Sequence, residues 1–281
     1  MSAHFLVTGG AGFVGSNLVR EINRRGCHKI VVVDDLQDAS KLQNLRDLRI
    51  ADYLDKEDLR NRMENGRPLP ELRGILHQGA CADTLETDGR KMLADNFTFS
   101  KLLLREALVR KIPFVYASSA AVYGASLSSA ESEENEKPLN LYGFSKLLFD
   151  RYVRCHCTQV ASTVVGLRYF NVYGPGESHK GRMASMAYQL YRQISTNGVG
   201  RLFQGCGSCG DGEQRRDFVH IADVVAVNLH FLDGPARCGI WNVGVGVSRS
   251  FNELAQAIIK ILGRGRVEYC LLYTSPSPRD S

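Results

Sequence analysis

Phe5-Leu-Val-Thr-Gly-Gly-Ala-Gly-Phe-Val-Gly-Ser16 is the stretch that decides the fold. Phe5 to Thr8 reads as a short apolar strand. Glycines at 9, 12 and 15 follow at once, and an amphipathic helix is predicted over Ser16 to Arg25. Positions without side chains let backbone approach a pyrophosphate, and the helix start offers free amides and the positive end of its dipole. A glycine loop placed strand–loop–helix at the first turn of a chain is a specific dinucleotide-binding signal, whereas the glycines alone are not.

Outward from the loop, apolar strands alternate with helical stretches. Ile30-Val-Val-Val33 is predicted as the second strand and ends in Asp34-Asp35, an acid pair placed to bond adenosine ribose hydroxyls, which favours NAD. Lys41 follows and can instead neutralise a ribose 2′-phosphate, which favours NADP. Leu48 to Asp52 is read as a third strand, with Asp52 facing the adenine. Gly74-Ile-Leu-His77 is a fourth, running into Gln78-Gly79-Ala80-Cys81, small residues suited to a cofactor lying across a strand end. A long helix is predicted from Lys91 to Arg110 with Asn96 early in it, then a fifth strand from Ile112 to Ala117. This alternation predicts an α/β fold: a doubly wound parallel Rossmann sheet with helices on both faces, and a smaller C-terminal substrate domain.

The chemistry-bearing stretch is Tyr142-Gly-Phe-Ser-Lys146. Asn140 is the expected N-cap, and residues four apart share a helix face. A lysine beside a phenol favours the phenolate, so Lys146 is expected to lower the Tyr142 pKa and make it a general acid/base. Ser119, at the carboxyl end of the fifth strand, is placed to bond a substrate hydroxyl beside Tyr142.

Composition bounds the rest. The chain has 281 residues, 44% hydrophobic and 23% charged, which allows a sizeable core. A net charge of +5 with basic residues clustered only in pairs argues against nucleic acid. No apolar run reaches membrane-spanning length, and a strand starting at Phe5 leaves no room for a signal peptide. Eight scattered cysteines read as reduced cytoplasmic thiols. Cys155-x-Cys157 and Cys206-x-x-Cys209 lack a second ligand pair of zinc-like spacing, so no metal is expected.

These motifs together resemble the extended short-chain dehydrogenase/reductase superfamily. Arg168-Tyr-Phe-Asn-Val-Tyr-Gly-Pro175, Arg215-Arg-Asp-Phe-Val219, Ile221-Ala-Asp-Val224 and Trp241-Asn-Val-Gly244 are similar to its nucleotide-sugar epimerases and dehydratases. Dehydratases of that group carry an acid pair after the catalytic Ser or Thr. Ala120-Ala121 stands here, so no acid is ready to expel water. Gly176-Glu-Ser-His-Lys-Gly-Arg-Met-Ala-Ser185, Asp52 to Asp58, Gly79-Ala-Cys81 and Glu136-Lys-Pro-Leu-Asn140 narrow the resemblance to the ADP-glycero-manno-heptose 6-epimerase family, from Phe5 to about Tyr269.

What the resemblance implies is epimerisation of an ADP-heptose at its 6″ carbon by transient oxidation and re-reduction with tightly bound NADP, NAD being the alternative. Ser119, Tyr142, Lys146 and Lys180 would be catalytic, with Tyr142 and Lys180 the two acid/base groups. Gly9, Gly12, Phe13, Val14, Gly15, Asp34, Asp35, Lys41, Lys56, Gln78, Gly79, Ala80, Cys81, Asn96, Lys146, Val172 and His179 would hold the cofactor. Asn171, Arg182, Gln189, Phe203, Gln204, Gly205 and Arg216 would hold the ADP-sugar, although Arg182 and Gln189 replace the family's usual serine and histidine, and Asp95 stands where a second asparagine is expected. A homo-oligomer is expected. Residues 1–175 would form the Rossmann domain and 176–269 a partly interleaved substrate domain. That domain is expected to be truncated, because the family continues beyond Tyr269. Residues 270–281, Ser/Pro-rich and aperiodic, resemble translated vector sequence. Glycine-rich Gly205–Gly212 reads as an insertion. The alternatives are another NAD(P)-dependent nucleotide-sugar epimerase or reductase, or a non-catalytic dinucleotide-binding protein.

Overall fold

The computed structural model describes residues 3–126, 128–157, 161–205 and 209–270. The predicted tail from residue 271, and Cys206 with the middle of the predicted insertion, lie outside the described residues. The strands are β1 (His4–Thr8), β2 (Ile30–Asp34), β3 (Asp52–Asp55), β4 (Leu72–His77), β5 (Phe114–Ser119), β6 (Val164–Tyr169), β7 (Asn171–Tyr173), β8 (Val199–Phe203), β9 (Arg215–His220), β10 (Cys238–Val243), β11 (Ser248–Ser250) and β12 (Arg266–Cys270). The helices are α1 (Phe13–Arg24), α2 (Leu42–Leu45), α3 (Lys56–Glu64), α4 (Gly89–Leu93), α5 (Phe99–Arg110), α6 (Leu141–His156), α7 (Met186–Asn197), α8 (Ile221–Asp233) and α9 (Phe251–Leu262).

Seven parallel strands form the central sheet in the order β10-β6-β5-β4-β1-β2-β3. Their apolar runs are buried on both faces because successive side chains alternate sides. Phe5 and Val7 of β1 pack with α1 and α8 through Leu18, Val19, Ile22, Val224 and Leu229. Leu6 between them faces the other layer, with Leu103 and Leu104 of α5 and Phe149 and Val153 of α6. The sheet order reverses at β1–β4, and both the glycine loop and residues 78–81 leave the strands at that point. A crevice at such a switch point is where doubly wound sheets bind ligands.

The elements after β7 do not form one contiguous piece. After β7, α7 and β8, the chain returns through β9 to α8 and β10, which join the Rossmann layers. A small separate core remains, built from Leu190, Ile194, Leu202, Phe251 and Ala255 of α7, β8 and α9.

Two local expectations need correction. The third strand is Asp52–Asp55, not Leu48 to Asp52. Leu48 and Ile50 pack against the core from a loop, and the ladder pairs Val31 with Asp52 and Asp34 with Asp55. Asp52 therefore sits at the amino end of the strand, exposed and away from the ligand side, and Asp55 takes the carboxyl end. The helix predicted from Lys91 to Arg110 is broken by a π turn at Ala94–Thr98. There the Ser100 hydroxyl donates to the Asn96 carbonyl at 2.7 Å, and the Asn96 side chain is drawn away to the backbone of Cys81. Such turns recur at functional sites.

Candidate active site

The glycine loop is closed by contact rather than by side chains. A Cβ at Gly15 would fall 2.1 Å from the Gly9 carbonyl oxygen, and one at Gly9, where φ is +65°, would fall 2.6 Å from the Gly79 nitrogen. Only glycine fits at either position. Helix α1 begins at Gly12 with no side-chain cap and no acid in its first turn. Its leading amides and dipole are therefore turned to whatever occupies the cleft above, which suits a diphosphate.

That cleft, about 750 Å³, is lined by Gly9, Gly12, Phe13, Val14, Gly15, Asp34, Asp35, Lys41, Lys56, Gln78, Gly79, Ala80, Cys81, His179 and Lys180. Of the expected cofactor residues, Asn96, Val172 and Lys146 are not in this lining. Asn96 is buried behind the wall, where its side-chain oxygen accepts from the Cys81 amide at 2.8 Å and its nitrogen donates to the Cys81 carbonyl at 2.9 Å. Asn96 thus shapes the cleft from behind its Cys81 wall. Val172 and Lys146 line a second cleft, described below.

The Asp34 carboxylate is already engaged. It accepts from the Ala11 amide at 2.8 Å, from the Asp35 amide at 2.7 Å and from the Lys41 ammonium at 3.0 Å. Lys56 and Arg60 share the carboxylate of Asp95, at 3.0 and 3.3 Å. Arg60 lines the cleft and was not anticipated from sequence. Its signal was its place four residues after Lys56, one turn on along α3.

The second cleft, about 410 Å³, shares Phe13, Val14, Gln78, Ala80, Ala82, Lys180 and Met183 with the first. Ser119, Tyr142, Lys146, Asn171, Val172 and Arg216 line it as well, so the four expected catalytic side chains meet here. Asn140 caps α6 as expected, its side chain accepting from the Gly143 amide at 2.8 Å. That cap starts the helix where Tyr142 faces the cleft from the first turn.

The expected electrostatics of Tyr142 are corrected by the structure. Its pKa is raised, not lowered: burial dominates, the hydrogen bond with Ser119 opposes it, and Cys81 adds to the rise. Lys146 lies over the Tyr142 ring but is held by backbone. Its ammonium donates to the Ala117 carbonyl at 2.8 Å and lies 5.9 Å from the Tyr142 ring centre. Burial pushes Lys146 itself down to about 8, against an upward pull from Asp150 and Cys81.

Lys180 stands on a short 3₁₀ turn, Ser178–Met183, that is kinked at Gly181. Its ammonium lies 5.7 Å from the Phe13 ring centre. Burial lowers its pKa, and Glu177 opposes the shift. The turn is pinned by Glu177, which accepts from the Gly174 and Ser185 amides at 3.0 and 2.6 Å. Asn44 ties the turn to the glycine loop: its side-chain nitrogen donates to the carbonyls of Ala11 and Gly176 at 3.0 and 3.1 Å and lies 3.2 Å from His179 Nδ1. Burial, with Lys41 and Lys180 nearby, lowers the His179 pKa. Asn44 and Glu177 were missed because their partners are distant in sequence or are backbone atoms.

Among the expected sugar-binding residues, Asn171 and Arg216 line both this cleft and an adjoining space of about 190 Å³ beside Ser119 and Tyr142. The others are placed elsewhere. Arg182 is exposed and paired with Asp83 at 3.1 Å. Gln189 donates to the carbonyls of Arg182 and Ala184 and lines a separate groove with Tyr188 and Arg192. Phe203, Gln204 and Gly205 lie at the end of β8, outside the lining of the Tyr142 cleft. There the Gln204 amide donates to the Cys270 carbonyl and the Gly205 amide to Asp211. These bonds engage backbone amides of the segment, not the side chains of Phe203 and Gln204.

Among the described residues, no helix is long and apolar enough to cross a membrane. The model of the NAD dependent epimerase/dehydratase family matches residues 5–244. The chain is 50% identical over 264 residues to the ADP-L-glycero-D-manno-heptose-6-epimerase of Alkalilimnicola ehrlichii, covering 94% of this chain and 82% of that protein. It is 52% identical over 254 residues to the protein of the same name from Pseudomonas aeruginosa, covering 90% and 77%. The crystal structure of the Helicobacter pylori ADP-L-glycero-D-manno-heptose-6-epimerase superposes with a TM-score of 0.84 at 35% identity, over 95% of this chain and 85% of that one.

Proposed function

The chain belongs to the NAD dependent epimerase/dehydratase family, and from that premise we propose that it interconverts the D-glycero and L-glycero epimers of ADP-D,D- and L,D-manno-heptose at the 6″ carbon. The observation that carries this reading is one cleft lined by two proton-transfer groups, Tyr142 and Lys180, and continuous with a dinucleotide site. Inverting a carbinol carbon by oxidation and re-reduction requires the sugar to present each face in turn, and each orientation needs its own proton acceptor. A nicotinamide dinucleotide, when bound, supplies reversible hydride acceptance.

The residues of the chain do the rest. In one orientation Tyr142, hydrogen-bonded to Ser119, exchanges the hydroxyl proton. The ketone turns within the pocket, and as hydride returns to the other face of its carbon Lys180 would give a proton to its oxygen. Burial lowers the Lys180 pKa from its ordinary value, which makes the ammonium a readier proton donor. Ser119 would polarise the oxygen, Lys146 would hold the nicotinamide ribose, and Arg216 would suit the substrate diphosphate. Ala120 and Ala121, following Ser119, offer no acid to expel water, which favours epimerisation over dehydration.

We assign NADP as the cofactor. Lys41, which donates to the Asp34 carboxylate and the Asp35 carbonyl, brings an ammonium to the end of the cleft where those acids sit, which supports a 2′-phosphate there. Mass spectrometry of the ligand released on denaturation tests this, and a dinucleotide without the ribose phosphate contradicts it. For the reaction, the purified full chain is incubated with ADP-D-glycero-D-manno-heptose in D₂O without added cofactor. The expected result is the L-glycero epimer without deuterium at the inverted carbon. Turnover of UDP-hexoses but not ADP-heptose would overturn the assignment.

A further inference from the structure

His77 closes β4 immediately before the cofactor-facing residues, and it is 3% exposed. A buried histidine at the polar end of an otherwise apolar strand has to satisfy both ring nitrogens. Nδ1 lies 2.6 Å from the Thr8 hydroxyl, and Nε2 lies 2.8 Å from the Ser100 hydroxyl. The direction of each bond follows from the neighbours. The single Ser100 hydroxyl hydrogen is given to the Asn96 carbonyl at 2.7 Å, so Ser100 accepts from the ring and Nε2 carries the proton. Thr8 accepts from the Gly79 amide at 3.1 Å and turns its own hydrogen to Nδ1, which accepts.

The chain of bonds continues to the catalytic helix. The carbonyl that Ser100 holds belongs to Asn96, the centre of the π turn. The Asn96 side chain clamps both backbone atoms of Cys81 and donates to the Ser145 hydroxyl at 2.9 Å. The Ser145 hydroxyl donates to the Tyr142 carbonyl at 2.7 Å. One ring thus stands between the last residue of β1, next to Gly9, and the turn that fixes both the 79–81 wall and the start of α6.

We propose that His77 is a positioning residue, a donor–acceptor bridge of fixed tautomer that registers the glycine loop against the Asn96 turn and, through it, against Tyr142. Burial and the nearby Lys146 ammonium hold the imidazole neutral, with its pKa pushed down to about 3, so the bridge keeps its direction throughout the neutral range. A protonated ring would present two donors, and Nδ1 could no longer accept from Thr8. The inference rests on the cleft being a dinucleotide site, but not on which sugar is turned over.

The test begins with ring ¹⁵N–¹H spectra of the wild-type full chain between pH 5 and 8. The expected signature is a proton on Nε2 alone, unchanged across the range; a proton on Nδ1, or a titration within it, overturns the proposal. His77→Phe then keeps the ring contacts with Phe99 and Phe114, both at 5.9 Å between centroids, and deletes both hydrogen bonds. NADPH binding, followed by fluorescence titration, should weaken on the order of tenfold, the worth of about one buried hydrogen bond. Amide exchange should quicken at Gly79 and Cys81 more than in the core strands. A variant that is merely less stable, with wild-type NADPH affinity and wild-type exchange at those two amides, contradicts the proposal. If His77→Phe does not fold, Ser100→Ala carries the same two readouts. NADPH binding without ADP-heptose turnover in the wild type would sink the function proposed above and leave this inference intact.

Discussion

The Lys146 ammonium donates to the Ala117 carbonyl at 2.8 Å, which anchors the catalytic helix to the carboxyl end of β5. Lys146 is therefore a buried cation held by a backbone dipole, at 7% exposure. Burial lowers its pKa from an ordinary value near 10.5 to about 8. Between those two values the unfolded chain keeps a proton that the folded chain gives up, so stability rises with pH across the window, and the cost of the buried charge is fully present below about 8. Lys146→Met should remove that slope in urea unfolding measured from pH 7 to 10. The same variant should lose epimerase activity by about 10²- to 10⁴-fold. In the wild type, activity should fall on the alkaline side as Lys146 loses its charge. Lys146→Arg, slower but always charged, should move that limb upward, and an unmoved limb assigns it elsewhere.

Gly15 and Gly9 touch so closely that the loop has a single shape. Gly15→Ala places a methyl group 2.1 Å from the Gly9 carbonyl oxygen, so the loop must open. NADPH affinity should fall by at least about 100-fold, with a stability loss of about 1–3 kcal/mol. Gly26, with φ +81° and nothing within 4 Å of its would-be Cβ, is the control. Gly26→Asn, in a left-handed conformation asparagine tolerates, should leave affinity unchanged in the same titration.

Arg168 is fully buried beneath the active-site end of the sheet. It donates to Asp150 and to the Tyr123 hydroxyl, both at 3.0 Å, and to Glu136, which Arg154 also holds. Arg168→Leu leaves Asp150 in the interior without its cation, at a cost of about 3–5 kcal/mol. Burial already raises the Asp150 pKa, with Arg168 the largest opposing influence. The folded variant should therefore bind a proton more readily than the unfolded chain. That binding favours the folded state at low pH, so the loss should be larger at pH 8 than at pH 5 in denaturant unfolding. Arg168→Leu with Asp150→Asn should recover part of it.

Much of the frame was legible because it is local. The glycine spacing, the apolar runs of β1, β2 and β4 and the Asn140 cap are each written within a few residues, and each produced the element it implied. The failures have a common cause in tertiary contact. Leu48 and Ile50 looked like a strand because their side chains are needed by the core, while the ladder starts at Asp52. The π turn at Asn96 exists only because Cys81, Ser100 and Ser145 gather around it. The expected lowering of the Tyr142 pKa weighed the Lys146 charge without the burial that raises it, and a carbonyl on β5 holds the ammonium. Arg182 pairs with Asp83 and Gln189 donates to local carbonyls, partners that sequence spacing does not reveal.

The two-base arrangement of Tyr142 and Lys180 is tested most directly by removing each base separately. ADP-heptose epimerisation is measured for Tyr142→Phe and Lys180→Met alongside NADPH affinity. Each variant should fall by about 10²- to 10⁴-fold in kcat with affinity within about threefold of wild type. If Lys180→Met keeps wild-type kcat, Lys180 does not serve the second face of the sugar.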